Sequence, residues 1–173
     1  MNRTRTFGWI ALVFAALVLS ARLVAPSPTL APSPSPTAHV WQALVDSRSS
    51  FRIKYPPSWT VTETPDSYLF DLGTQTRVGA VIIRIYDGQF STTVDNWVQT
   101  NFGDDLEFPF VKISRLMNQQ GYPVVQVVGL PGETSDSKTS VFKNGNFVVV
   151  LSVAPYTRFA SEYDSMVNSL TFY

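Results

Sequence analysis

Short runs of alternating apolar and polar residues fill most of the chain after residue 38. Phe51–Tyr55 (FRIKY) alternates strictly, which is typical of a β-strand with one face buried. Pro56 and Pro57 interrupt this pattern, because proline cannot donate to a strand ladder, and it then resumes. The predicted strands are Val40–Val45, Phe51–Tyr55, Trp59–Glu63, Tyr68–Asp71, Gly79–Tyr86, Val111–Met117, Tyr122–Val128, Thr139–Lys143 and Phe147–Val153. A short helical turn remains an alternative for the first of them.

Two segments change to the helical period and complete an α+β pattern. The first has Val94, Trp97, Val98 and Phe102 at helical spacing, with Thr92 or Thr93 available as N-cap. The second follows Pro155, and its apolar positions are Phe159, Tyr163, Met166, Val167 and Leu170. Asn144-Gly145 between two strand patterns is a strong hairpin signal. Strands linked by hairpins, with one helix between them and one at the end, predict an α+β fold on a mainly antiparallel sheet.

The first 25 residues have the plan of an export signal. Arg3 and Arg5 lie in the basic segment 1–6, and the following run from Phe7 to Ala21 carries no charge. Residues 7–25 approach the roughly 20 residues that span a bilayer. An uncleaved membrane helix and a signal cleaved after Ser20 both remain open, and we favour the membrane helix. In either case we expect the rest of the chain outside the cytoplasm, tethered to the cell membrane by a single pass or secreted.

A proline-rich segment separates this run from the strands. Ala25–Thr37 contains five prolines and five Ser or Thr residues, and we assign residues 26–37 as a linker. Such a composition favours an extended polyproline conformation, roughly 40 Å long at about 3.1 Å per residue. A spacer of this kind would hold a domain away from a membrane. Residues 38–173 are then one globular domain.

Composition excludes several classes of chemistry. The chain has no cysteine and one histidine, His39 at the end of the linker, so disulfides, thiolate nucleophiles and multi-histidine metal sites are absent. Basic and acidic residues number 13 each, and nothing in this balance indicates nucleic acid. Three of the basic residues precede residue 38, which leaves the domain with a net charge of about −3.

Two segments of the domain resemble a known family. The segment FRIKYPPSW, which begins ten residues after Trp41, is similar to the opening of PsbP-like domains. The terminal segment PYTRFASEYDSMVNSLTFY is similar to their closing helix, so the resemblance covers residues 41–173. That family is named for an extrinsic lumenal subunit of photosystem II, and many bacterial members are exported proteins of unknown role. The resemblance implies an α/β/α sandwich around an antiparallel sheet and a non-enzymatic accessory or binding role. It supplies no catalytic residues.

Acidic residues offer the remaining candidate chemistry. Asp104, Asp105 and Glu107, with Asn101 nearby, could supply oxygen ligands to a hard cation, but no calcium-loop motif surrounds them. The carboxylates that could form a hydrolytic pair are Asp87, Asp95, Glu133 and Asp136, and the sequence singles out none of them. We therefore assign no catalytic, cofactor-binding or metal-binding residue, and we expect no cofactor.

Aromatic residues offer the other candidate site. Trp41, Trp59 and Trp97 could stack on a sugar, although their patterns favour the core. The sequence hypothesis is a non-catalytic, membrane-tethered binding module with a protein partner, which it contacts through the loop around Gly129 to Lys138. The alternatives are an extracytoplasmic hydrolase with a carboxylate pair and an extrinsic photosystem II subunit in the strict sense.

Overall fold

The computed structural model describes residues 40–72, 80–89, 92–131 and 136–173. The predicted membrane helix, the linker and His39 lie outside these ranges. Among the described residues, no helix has both the length and the apolar character needed to cross a membrane.

The described part of the chain contains ten strands and two helices. In chain order they are β1 (Gln42–Asp46), β2 (Phe51–Tyr55), β3 (Thr60–Glu63), β4 (Ser67–Asp71), β5 (Ala80–Tyr86), α1 (Val94–Leu106), β6 (Lys112–Met117), β7 (Pro123–Val128), β8 (Lys138–Asn144), β9 (Phe147–Ala154), α2 (Tyr156–Ser169) and β10 (Thr171–Phe172). All nine predicted strands and both helices are present with small shifts at their ends. The prediction of an α+β fold on a mainly antiparallel sheet is confirmed.

Seven strands form the main sheet in the order β3-β4-β5-β9-β8-β7-β6, and all six pairings are antiparallel. A second sheet has the order β1-β2-β10 and is also antiparallel. β10 was not predicted, because a strand of two residues shows no period. It forms when the chain leaves α2 and returns along β2, pairing Thr171 with Arg52 and Phe172 with Phe51.

Alternation along β9 divides the core between the two faces of the main sheet. Val149 and Leu151 belong to a cluster with Tyr163 and Met166 of α2 and with the small sheet. Val148 and Val150 belong to a second cluster with Trp97 and Val98 of α1. Each helix therefore covers one face, and β9 is buried on both sides, which explains its nearly continuous apolar sequence.

Local signals set the ends of several elements. Thr93 is the N-cap of α1, since its hydroxyl accepts from the backbone N–H of Asn96 at 3.1 Å. The predicted hairpin between β8 and β9 is present, but its two-residue loop is Gly145-Asn146, one position later than the predicted Asn144-Gly145, because Asn144 pairs with Phe147. Gly145 supplies the positive φ of the turn, 52°. Pro155 gives α2 no side-chain cap. Asp136 takes that role from outside the helix by accepting from the backbone N–H of Thr157 at 3.1 Å.

Candidate functional site

The tryptophans that could have stacked on a sugar are mainly core residues. Trp59 is 6% exposed and contacts Phe159 edge to face, with 5.6 Å between the ring centroids. Trp97 is also buried, between Tyr86 and Phe102. Trp41 packs against the first core cluster and is partly buried. The prediction that Trp59 and Trp97 belong to the core is therefore confirmed.

The carboxylates considered for hydrolysis each hold a different structural contact. Asp87 accepts from the side-chain amide of Asn146. Asp95 forms an ion pair with Arg115, and Asp136 caps α2. Glu133 lies outside the described residues. Each of the three described carboxylates is thus held by a different partner, and Asp95 also lines a shallow cavity beside β6.

The predicted cation cluster lies at the C-terminal end of α1. Asp104 and Asp105 are in the last turn and Glu107 is the C-cap. The side-chain amide of Asn101 donates to the carbonyl of Trp97 at 2.8 Å, so it is engaged within the helix. No group of three or more acidic or histidine side chains in the described ranges is arranged to hold a metal ion.

Asp46 is a buried carboxylate that closes the turn between β1 and β2. Its Oδ1 accepts from the backbone N–H groups of Arg48 at 2.8 Å and Ser49 at 3.1 Å, and its Oδ2 accepts from the Tyr68 hydroxyl at 3.0 Å. Burial raises the pKa of Tyr68 above its usual value. Arg48 extends the contact by donating to the carbonyl of Pro65 at 2.8 Å. The cluster thereby ties the small sheet to the β3–β4 hairpin.

A second cluster joins α2 to β8. Lys138 Nζ lies 2.8 Å from Asp164 Oδ1 and 4.6 Å from the centre of the Tyr156 ring, and the Tyr156 hydroxyl donates to Asp164 Oδ2 at 2.8 Å. Burial raises the pKa of Tyr156, which keeps the phenol protonated. A tyrosine that serves as a general base needs a lowered pKa instead. The arrangement suits a structural lock between helix and strand.

The edge of the main sheet at β6 differs from these internal contacts. β6 is the last strand in the sheet order, and all six of its side chains are exposed. Three of them are large and apolar: Ile113, Leu116 and Met117, with Met117 59% exposed. No described strand lies beside the outer edge of β6, so its outward N–H and C=O groups are available for pairing.

Two stacked phenylalanines extend this surface. Phe108 and Phe110 lie in the turn before β6, 44% and 54% exposed, with 5.5 Å between their ring centroids. Gly129, with a φ of 81°, lets the Phe110 backbone approach the end of β7, because a Cβ at this position would lie 3.3 Å from the Phe110 carbonyl oxygen. We call Phe108, Phe110, Ile113, Leu116 and Met117 together the apolar edge surface.

The charges on β6 are all positive. Lys112 and Arg115 are its only ionisable residues. Arg115 is paired with Asp95 of α1, whereas Lys112 forms no ion pair with a described residue. A shallow cavity of about 270 Å³ lies at this edge and is lined in part by Leu116, Met117 and Val94. The sequence predicted β6 as a strand, but it did not predict that both of its faces are exposed.

The loop predicted as a contact surface is described only at its ends. Leu130 and Ser137 are buried, and the backbone N–H of Gly129 donates to the carbonyl of Ser137 at 3.1 Å. Residues 132–135 lie outside the described ranges. The described ends therefore belong to the core, and the exposed apolar side chains lie one strand further out.

Solved structures of other proteins share this architecture. Over 83% of this chain and 99% of the other, the structure matches the solution structure of cyanobacterial PsbP (CyanoP) from Synechocystis sp. PCC 6803, with a TM-score of 0.52 and 13% identity. The fold is PsbP-like. The predicted resemblance is therefore confirmed for the fold, with the two helices on opposite faces of an antiparallel sheet.

Other solved structures are similar at a lower level. The Ran-binding protein Mog1p of Saccharomyces cerevisiae matches with 12% identity, 78% and 96% coverage of the two chains and a TM-score of 0.47. A protein from Bacteroides thetaiotaomicron VPI-5482 matches with 16% identity, 76% and 48% coverage and a TM-score of 0.48. No protein-family model and no curated protein matches the sequence. The comparisons therefore support the fold alone.

Proposed function

We propose that this chain is a non-catalytic, membrane-tethered extracytoplasmic module that binds an extended segment of a partner protein along β6. The observation that carries the proposal is the apolar edge surface beside an unpaired strand edge. An exposed edge of this kind favours uncontrolled pairing with other chains, and proteins usually cover it or place charges on it. A surface that combines a free edge with five large apolar side chains is suited to strand addition by a partner.

Chemical complementarity defines the partner segment. Backbone hydrogen bonds to β6 require an extended segment, and apolar side chains at alternate positions would contact Ile113 and Met117 on one face of the sheet. Lys112 lies on the opposite face from Ile113 and Met117 and forms no ion pair with a described residue, so it favours an acidic residue at a nearby position on that face, because opposite charges on neighbouring strands stabilise pairing. We therefore expect a strand that alternates apolar and acidic residues.

The non-catalytic part of the proposal is supported by the engagement of the ionisable groups. Three of the four candidate carboxylates hold structural contacts, and the Lys138, Tyr156 and Asp164 cluster keeps its phenol protonated. A screen of the full chain against ester, phosphate, peptide and glycoside substrates, with and without calcium, tests it. Turnover that a single carboxylate substitution abolishes would replace the binding module with a hydrolase.

The tethering part rests on residues 7–25 and the following linker. We expect the full chain in the membrane fraction of its host with residues 1–25 intact, as measured by mass spectrometry of its N-terminal peptide. A soluble exported product that begins near Ala21 would establish a cleaved signal and contradict the tether.

The binding test uses the full chain in detergent micelles and a synthetic nine-residue peptide that alternates valine and glutamate. The same peptide with lysine in place of glutamate is the charge control. We expect the acidic peptide to bind at least about ten-fold more tightly, which corresponds to about 1.4 kcal/mol. Equal affinity for the two peptides, or no binding of either, would contradict the proposal.

Two matched variants locate the binding. Met117→Glu and Thr62→Glu each add one exposed negative charge to an edge strand, the first to β6 and the second to β3. We expect only Met117→Glu to lower the affinity for the acidic peptide, by about ten-fold or more. If both variants lowered the affinity equally, the loss would follow from the overall charge of the chain and would not locate binding at β6. A concentration-dependent dimer that Met117→Glu abolishes would instead assign the edge to a second copy of the chain.

A further inference from the structure

A polar groove lies on the side of the molecule that carries β2. It is formed by β2, the C-terminal turn of α2 and the turn between β6 and β7, and its volume is about 440 Å³. The lining residues used below are Arg52, Lys54, Gln119, Ser165, Asn168 and Thr171. Among the residues that the structure describes, no acidic and no aromatic side chain lines it.

Two cations in the groove have no partner in the described ranges. Arg52 and Lys54 occupy alternate positions of β2, so their side chains point to the same face, about 7 Å apart at the backbone. Both are exposed, and neither side chain forms a hydrogen bond or an ion pair with a residue that the structure describes. The four ion pairs of the described residues lie elsewhere. The groove therefore presents two uncompensated positive charges.

The end of α2 could have explained these cations, because the C-terminus of a helix carries partial negative charge. Its last carbonyls already accept from neutral side chains, however. Asn118 donates to Leu170 at 2.8 Å and to Val167 at 3.2 Å, and the Ser169 hydroxyl donates to Met166 at 2.8 Å. Since these groups are satisfied, capping does not account for Arg52 and Lys54.

We propose that this groove binds the phosphate monoester of a small polyhydroxylated ligand, a phosphorylated sugar in chemical class. A phosphate monoester carries a charge of about −1.5 to −2 at pH 7, which matches the two cations, whereas a carboxylate leaves one uncompensated. Arginine can contact phosphate oxygens in a bidentate manner, and lysine adds a point charge. The amides and hydroxyls of Gln119, Ser165, Asn168 and Thr171 are suited to the hydroxyl groups of such a ligand.

The experiment is a calorimetric titration of the full chain in detergent micelles with glucose 6-phosphate, glucuronate and glucose. We expect binding to be tightest for glucose 6-phosphate, at least ten-fold weaker for glucuronate and undetectable for glucose. Inorganic phosphate is titrated alongside, and we expect it to bind more weakly than glucose 6-phosphate. Equal affinity for inorganic phosphate would reduce the site to a simple ion site and overturn the sugar part of the proposal.

Matched variants separate the groove from general charge. Arg52→Gln and Lys54→Gln should each lower the affinity for glucose 6-phosphate at least ten-fold. Arg84→Gln removes an exposed arginine from β5, outside the groove, and should leave the affinity unchanged. All three positions are exposed, so unchanged melting temperatures are expected and confirm that each variant folds. Equal weakening by all three variants, or no binding by the unmodified chain, would overturn the proposal.

Vesicles distinguish a free ligand from a lipid headgroup. Phosphatidylinositol 4-phosphate presents the same monoester on a polyol at a membrane surface. Retention on these vesicles that Arg52→Gln abolishes, without binding of glucose 6-phosphate, would assign the groove to the lipid form of this chemistry. Binding of glucose 6-phosphate alone would assign it to the free form. The groove and β6 are tested with different probes, so a negative result for one proposal does not affect the test of the other.

Discussion

The two edges of the main sheet are built in different ways. β3 at one edge has four residues, three of which are Thr60, Thr62 and Glu63. β6 at the other edge has six residues and exposes Ile113, Leu116 and Met117. Both strands are largely exposed, so the difference lies in length and in the chemistry of the side chains.

Neighbouring contacts increase the difference. The Thr60 hydroxyl donates to Asp71 Oδ1 at 2.7 Å, and Arg48 lies 3.7 Å from Glu63. Short length and polar or charged side chains are the ordinary means by which a sheet edge avoids pairing with other chains. β6 has two basic residues but lacks these other protections. We therefore expect β3 to behave as a closed edge, which resists pairing, and β6 to behave as the open edge, which accepts a partner.

The largest effect is expected from the anchor of the closed edge. Trp59 precedes β3 and is buried against Phe159, so Trp59→Ala should lower the free energy of unfolding by about 3–5 kcal/mol. Met117→Ala at the open edge should change it by less than about 0.5 kcal/mol, because that side chain is exposed. Urea unfolding measures both. Equal losses would mean that β6 is part of the core and not an open edge.

A smaller loss is expected at the turn that ties the small sheet to the β3–β4 hairpin. Asp46→Ala would remove the acceptor of two backbone N–H groups and of the Tyr68 hydroxyl, and should cost about 1–3 kcal/mol. Glu63→Ala, which removes only the exposed partner of Arg48, should cost less than about 1 kcal/mol. If the two variants lose the same stability, the turn does not depend on the buried carboxylate.

At the open edge, the aromatic turn depends on Gly129. Its φ of 81° and the close Phe110 carbonyl both oppose a side chain, so Gly129→Ala should cost about 1–2 kcal/mol. Gly121→Ala, also at positive φ but with open space around it, is the control for the conformational part. A larger loss at Gly129 than at Gly121 is expected from thermal unfolding. The reverse order would show that the Phe110 contact does not position the turn.

The smallest effect concerns alkaline pH. Because burial raises the pKa of Tyr68 in the folded chain, its contribution to stability is fully present below about pH 10 and is lost as the pH rises through the folded pKa. The stability difference between the unmodified chain and Tyr68→Phe should therefore shrink in this range. Urea unfolding at pH 8, 10 and 11 measures it, and a constant difference would mean that Tyr68 titrates normally.

The sequence predicted the main architecture because long elements repeat a period. Val148–Leu151 is a short apolar run rich in β-branched residues between Gly145 and Pro155, which favours a strand over a helix. The structure buries Val149 and Leu151 on one face and Val148 and Val150 on the other. β10 escaped prediction because its pairing depends on where α2 delivers the chain. The capping of α2 by Asp136 could not be predicted for a similar reason, because the segment before β8 and the start of α2 meet only in the folded chain.

The surfaces were harder to predict than the core. The pattern of β6, KISRLM, is compatible with a half-buried strand. Both of its faces are exposed because no β6 side chain belongs to either core cluster, and the local pattern does not report how far the helices extend over the sheet. Arg52 and Lys54 were visible as the polar positions of FRIKY, yet the groove also needs the end of α2 and the β6–β7 turn. Local sequence reports which side chains point outward, and tertiary packing decides what lies beside them.

The most direct test of the account is hydrogen exchange along the two edges of the full chain, with and without the valine–glutamate peptide. Strand addition places new hydrogen bonds on the outward N–H groups of β6, so exchange within Lys112–Met117 should slow at least about ten-fold when the peptide is saturating. Exchange within Thr60–Glu63 should not change. Unchanged exchange in β6, or equal slowing in both strands, would contradict the claim that β6 is the binding edge.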